Sequence, residues 1–314
     1  MPERVRVLYI MGWGRSGSTI LDNILGEVDG FFSMGELHYF WERSVLGGRS
    51  CGCGKPVTEC EVWSKVLRAM EGSDAGEIVP WQSDAVRIRH TWNLLHADPA
   101  GGAPALKAYA DVTTRLYSAA RDVTGARVLV DSSKRPSDAA LLQLLPEVDP
   151  YFVHLVRDPR AVAYSWKRKK AQRDAAAPAE MLMHGTLNNA VNWTMWNLAA
   201  DAVRRRAGRS RSMLLRYEDF VSRPRDSIAS IAALVGEASA ALPFDDERTA
   251  HLGTNHTVSG NPSRFTTGSV QIRPDQQWIT AQRLGDRVAT TALTLPLLAR
   301  YRYPLVPRAA SASS

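Results

Sequence analysis

The stretch LYIMGWGRSGSTILD, from Leu8 to Asp22, carries the residue types of an anion-gripping loop. An apolar run through Val5, Val7, Tyr9 and Ile10 reads as a strand over Val5–Met11, a glycine-rich turn follows, and Ser16 to Leu25 reads as the opening of a helix. Such a junction aims backbone N–H groups and the positive end of a helix dipole at whatever anion sits there. Gly12 to Gly17 fit the spacing of the G-x-x-x-x-G-K-[ST] loop that cradles ATP phosphates, but Ser18 stands in the lysine position. The loop still offers cation and donors of its own: Arg15 lies inside it, and Ser16, Ser18 and Thr19 add hydroxyls.

The missing lysine narrows the anion. A transferable γ-phosphate carries about two charges and arrives with Mg²⁺, whereas a sulfuryl group on a phosphosulfate carries one and can be held by arginine, lysine and backbone dipoles without metal. A second stretch, YFVHLVRDPRAVAYSW from Tyr151 to Trp166, places Arg157 at the end of a strand. Its planar fork suits a phosphate, Pro159 starts the next helix, and Ser165 lies about two turns along it.

These two motifs, in this order, resemble those of the sulfotransferase superfamily, whose donor is 3'-phosphoadenosine 5'-phosphosulfate (PAPS). The resemblance implies a P-loop-like α/β fold with a mainly parallel central sheet. Gly14, Arg15, Ser16, Gly17, Ser18 and Thr19 match the family's 5'-phosphosulfate loop. Arg157 and Ser165 match its 3'-phosphate motif. In FFSMGELHYFWER, Gly35-Glu36 resembles the Gly-Glu that supplies the catalytic base in tyrosylprotein, carbohydrate and related bacterial sulfotransferases. His38 is the rival base: its unperturbed pKa of about 6.5 suits the task, and in a strand it points to the same face as Glu36. Lys134, in VLVDSSKRPSDA, matches the lysine that steadies the bridging oxygen of the leaving phosphate. Ser132 and Ser133 read as caps of the following helix, and Asp131 as a partner of Lys134. The long polar stretch from His256 to Trp278 resembles the loop that folds over the adenosine end of the donor, with Arg264 the candidate for the 3'-phosphate. The implied reaction is metal-free transfer of SO₃⁻ from PAPS to the hydroxyl of a small molecule, carbohydrate or lipid, leaving 3',5'-ADP.

The elements that must position these groups alternate. Strands are read at Val5–Met11, Arg127–Asp131, Tyr151–Val156 and Met213–Tyr217, and helices at 160–170, at 187–206 and after Pro224. Leu187, Val191, Thr194, Leu198 and Val203 mark the apolar spacing of the second helix. Alternation implies ligands beyond the carboxyl ends of a parallel sheet. One domain over 1–307 is expected, with 47–104 irregular and read as a cap or insertion, and a disordered tail at 308–314.

The chain has 314 residues, 45% of them hydrophobic, and no apolar run near the ~20 residues that span a bilayer. With no secretory segment ahead of the first strand, a cytoplasmic location is expected. The net charge of +7 suits a polyanionic ligand. The basic runs at Lys167–Lys170 and Arg204–Arg211 lack the interleaved aromatic residues of a base-stacking surface, and read as solvated helix faces rather than a nucleic-acid interface. A kinase or nucleotide hydrolase using Mg-ATP is the other enzyme reading. In CGCGKPVTEC, Cys51, Cys53 and Cys60 have no following histidine at zinc-finger spacing, so zinc is not the expected reading. Packing of the loop, free thiols, or one disulfide through Cys60 is expected instead.

Overall fold

Strand residues of alternating parity bury on opposite faces of one sheet, and that alternation builds two cores. The computed structural model describes residues 4–98, 102–168, 171–172, 179–180 and 183–307. The expected tail at 308–314 lies outside them, as do Lys169 and Lys170 of the first basic run. In chain order the elements are β1 Val5–Met11, α1 Ser18–Gly26, β2 Phe31–Gly35, α2 Trp63–Ala69, α3 Ala75–Ala85, α4 Thr91–His96, α5 Pro104–Thr124, β3 Val128–Lys134, α6 Pro136–Leu142 and β4 Val148–Val156. There follow α7 Pro159–Lys167, β5 Ala171–Gln172, β6 Ala179–Glu180, α8 Thr186–Ala207, β7 Ser212–Arg216, α9 Tyr217–Ser222 and α10 Pro224–Leu234. The chain closes with β8 Thr249–Leu252, β9 Gly268–Gln271, α11 Gln277–Ala281 and α12 Leu284–Arg300.

The central sheet runs β2-β3-β1-β4-β7, and all four pairings are parallel. From β1 the chain crosses to the edge at β2, returns to β3, and then places β4 on the other side of β1. That reversal opens a crevice at the carboxyl ends of the strands. Leu8 and Ile10 of β1 join Leu21, Ile24 and Leu25 of α1 and Ile228 and Ile231 of α10 in one core. Val7, Tyr9 and Met11 join Trp63, Leu116 and Phe152 in the other.

Two expectations fail here for identifiable reasons. The segment 47–104 is not irregular throughout, since it holds α2, α3 and α4. Trp63, Val66, Ile78 and Leu94 bury into the same core as Tyr109, Val112 and Leu116 of α5, so these helices thicken one layer, while Arg49 of the same segment lines the cavity described below. In α8, the stripe Leu187, Val191 and Leu198 faces outward, at 64%, 56% and 40% exposure, together with Met195. The buried face is instead Asn189, Ala190, Trp193, Asn197, Ala200 and Val203. Small residues let this helix pack close, and its two buried asparagines are hydrogen-bonded in place: Trp13 Nε1 donates to Asn189 Oδ1 at 2.9 Å, and Asn197 Nδ2 to the Trp193 carbonyl at 2.7 Å. Among the described residues no helix is long and apolar enough to cross a membrane.

Candidate active site

The loop after β1 turns through three residues of positive φ, Gly12 (+140°), Arg15 (+66°) and Gly17 (+90°). At Gly17 a side chain is excluded twice over, because a Cβ there meets the Tyr217 ring at 2.5 Å. This turn opens α1 toward a cavity of about 470 Å³ at the carboxyl ends of β1 to β4, a volume typical of small-molecule sites. Gly14, Arg15, Gly17, Ser18 and Thr19 all line it. Ser16 does not: it is buried beneath the loop at 2% exposure.

Glu36, Lys134, Arg157 and Ser165 line the same cavity, each at the end of its own strand or within the helix that follows. Lys134 adopts φ +72° at the last residue of β3, and its carbonyl accepts from Gly12 N at 3.0 Å, tying β3 to the loop. Its Nζ donates to Glu36 Oε1 in a close ion pair. Glu36 is held from behind, where Gly35 and Glu36 meet a crossing segment: Val258 N donates to the Met34 carbonyl at 2.9 Å, and Glu36 N to the Val258 carbonyl at 2.8 Å.

Arg157 stacks its guanidinium 4.3 Å from the centre of the Tyr217 ring. Its Nη1 donates to the Arg15 carbonyl at 3.2 Å and its Nη2 to Asp275 Oδ2 at 3.0 Å. Asp158 does not pair with it. Instead Asp158 Oδ1 accepts from Arg160 N at 2.9 Å, capping α7, and Oδ2 accepts from Arg160 Nη2 at 2.6 Å. Burial, partly countered by Glu36, lowers the pKa of Arg15 from its usual value, and burial beside Arg15 lowers that of His184.

Two site candidates fall elsewhere, and two cap readings fail. His38 is not on a strand: β2 ends at Gly35 and Leu37–Tyr39 is a tight helical turn, so the two-residue alternation that aligned it with Glu36 does not apply. Its Nδ1 lies 3.1 Å from Asp138 Oδ1 and 3.2 Å from Gln82 Nε2, against a separate small cavity. Arg264 is buried at 1% exposure and does not line the main cavity. Its Nη2 donates to the Ser50 carbonyl at 2.6 Å and its Nη1 to the Thr257 carbonyl, so it braces backbone where an anion contact was expected. Ser132 and Ser133 do not cap α6, whose N-cap is Arg135. Ser133 N donates to Asp131 Oδ1 at 2.8 Å, and Tyr117 donates to Asp131 Oδ2 at 2.6 Å, so Asp131 serves the core and leaves Lys134 to Glu36.

The structure also brings in residues that motif reading left unassigned. Trp13, Trp166, His184 and Trp196 line one wall, with Trp13 5.7 Å from Trp166 and 4.9 Å from Trp196, centre to centre. Trp193 is buried, Trp92 is half exposed and Trp81 packs against the core, and none of the three lines the cavity. The signal for Trp13 was its place between Gly12 and Gly14 in the loop itself. Seven arginine and lysine side chains line the cavity, Arg15, Arg43, Arg49, Lys134, Arg135, Arg157 and Arg168, against two carboxylates, Glu36 and Asp275. Such a balance concentrates an anionic ligand.

The profile of a sulfotransferase family matches residues 8–240, which contain all seven of these cations and Glu36. Among solved structures, the sulfotransferase domain from the curacin biosynthetic pathway aligns over 96% of this chain and 99% of its own, with a TM-score of 0.56 at 16% identity. The sulfotransferase domain from the Synechococcus PCC 7002 olefin synthase aligns over 97% of each chain, with a TM-score of 0.52 at 21% identity. No curated protein matches the sequence.

Proposed function

The chain belongs to the sulfotransferase family, and from that premise we propose that it moves a sulfuryl group from PAPS to an acceptor hydroxyl, with Glu36 as general base. The observation that carries this reading is the convergence of the β1 loop, the Glu36–Lys134 pair and Arg157 with Ser165 on one cavity. The loop and the N-terminus of α1 hold the 5'-phosphosulfate, while Arg157 and Ser165 take the 3'-phosphate. The acceptor lies against the wall of Trp13, Trp166 and Trp196.

Electrons and protons then balance within the site. The acceptor oxygen attacks sulfur as its proton passes to the Glu36 carboxylate. The bond from sulfur to the bridging oxygen breaks, and its electron pair stays on the phosphate of 3',5'-ADP, where charge grows beside Lys134 and Arg15. A cation already in place stabilises that transition state more than the ground state. Without donor, Lys134 is held by Glu36; an entering phosphosulfate competes for its ammonium and frees the carboxylate to face the acceptor. Arginine and lysine supply the countercharge, so transfer needs no added Mg²⁺, and the cytoplasm is the fitting compartment for a small-molecule acceptor.

Thermal shift tests the reading, since a ligand that binds only the folded state raises the unfolding temperature with the logarithm of its concentration. 3',5'-ADP without metal should raise it clearly. A larger rise with ATP and Mg²⁺, or with a short oligonucleotide, would replace this function with phosphoryl transfer or nucleic-acid binding.

A further inference from the structure

Three cysteines and one histidine meet where the loop after β2 crosses the segment before Val258. The Sγ atoms of Cys51, Cys53 and Cys60 and one ring nitrogen of His256 all lie within 4.8 Å of one another. Cys60 Sγ is 3.6 Å from Cys51 Sγ and 3.2 Å from His256 Nδ1, and Cys51 Sγ is 3.9 Å from the same nitrogen. We propose that these four residues are the ligands of a structural zinc ion.

The spacing fits. Zinc bonds of about 2.3 Å to sulfur and about 2.0–2.1 Å to nitrogen give tetrahedral edges of about 3.8 Å between sulfurs and about 3.6 Å between sulfur and nitrogen. A disulfide would instead hold two sulfurs about 2.05 Å apart, and all three cysteines are free. Three thiolates with one imidazole are the donor set that selects zinc.

The surroundings are those of a metal knuckle. Gly54 N donates to the Cys51 carbonyl at 2.9 Å, closing the turn that brings Cys51 and Cys53 into one cluster. With Nδ1 among the sulfurs, His256 turns Nε2 away from them, to 3.5 Å from Glu61 Oε1. The ring stacks beside Phe32, and the His256 carbonyl accepts from Trp63 Nε1 at 2.6 Å.

The zinc has a mechanical role. Cys60 and His256 are 196 residues apart in sequence, so the ion closes a very long loop. It anchors the strip that continues through Thr257 to Val258, whose backbone holds Met34 and Glu36. None of the four ligands lines the reaction cavity, so the ion acts on the frame of the site and not on the transferring group.

The experiment measures metal in the full-length protein, purified without chelators or immobilised metal. Mass spectrometry of the metals should find about one zinc per chain, and titrating the wild-type thiols with a mercurial should release it as three thiols react. Replacement by Co²⁺ should give the intense d–d and thiolate charge-transfer bands of a tetrahedral site. Cys53→Ser and His256→Ala should each lose most of the zinc; if either fails to fold, the wild-type titration and the Co²⁺ spectrum decide alone. A folded wild-type chain with three reactive thiols and no metal would overturn the proposal, as would a Cys51–Cys60 disulfide or iron in place of zinc.

Discussion

Replacing Glu36 by glutamine keeps the side chain's shape beside Lys134 but removes its capacity to accept a proton. Turnover on an aliphatic alcohol should then fall by about 10²–10⁴-fold, with 3',5'-ADP binding nearly unchanged by calorimetry. His38→Ala should cost far less, because that ring faces Asp138 and Gln82 outside the cavity. Near-normal turnover in Glu36→Gln would move the base elsewhere. Arg157 provides a second contrast. Its Nη2 is engaged by the Asp275 carboxylate, which holds the position the proposed 3'-phosphate would take over. Arg157→Ala should weaken 3',5'-ADP by about 1.5–3 kcal/mol while affecting adenosine 5'-phosphosulfate much less. Asp275→Asn should tighten 3',5'-ADP, since one competing anion is gone. Equal losses for the two nucleotides in Arg157→Ala would remove the 3'-phosphate from this arginine.

At the scale of the element, the end of β2 is a backbone device. Gly35 adopts φ +77°, and a Cβ there would sit 2.5 Å from the Val258 carbonyl oxygen and 2.7 Å from its nitrogen. Both obstacles are main-chain atoms that pair with β2, so they have little room to yield. Gly35→Ala should cost about 1–3 kcal/mol in urea unfolding and lower turnover further than stability alone explains, because the next residue is Glu36. Normal turnover in a folded Gly35→Ala protein would show that the Val258 crossing does not position the carboxylate. The element scale also explains why β2 escaped sequence reading. Phe31 and Phe32 suggested no alternation, and its pairing with β3 closes only once α2 to α5 have brought the chain back.

Across the whole molecule, two carboxyls buried behind the site couple stability to pH. Burial pushes Asp22 up to about 7, against hydrogen bonds from Ser33 and Ser132, and pushes Asp131 up to about 6. Each group therefore keeps its proton in the folded chain after losing it in the unfolded one. Their contribution is full below the unfolded pKa of about 4 and is lost as pH rises toward the folded values, at up to about 1.4 kcal/mol per pH unit for each. Asp22→Asn removes one of these ionisations. The variant should gain stability relative to wild type as urea melts are moved from pH 5 to pH 7, and a difference that stays flat would mean that Asp22 is already ionised in the fold.

What could be read from the residues alone was local. The β1 loop, the Arg157 strand end, Pro159 at the head of α7 and the Gly35-Glu36 pair each declare themselves within about one strand and one turn, where backbone geometry and side-chain type act over a few residues. The parallel sheet followed from their alternation. Long-range decisions needed the fold. His256 reaches the cysteines only because the chain returns past β2, Arg264 turns inward because the Ser50 and Thr257 carbonyls wait there, and His38 departs from Glu36 because β2 stops one residue before it. Spacing along a chain limits what neighbours can do, but which distant groups meet is set by packing, and packing is a property of the folded whole.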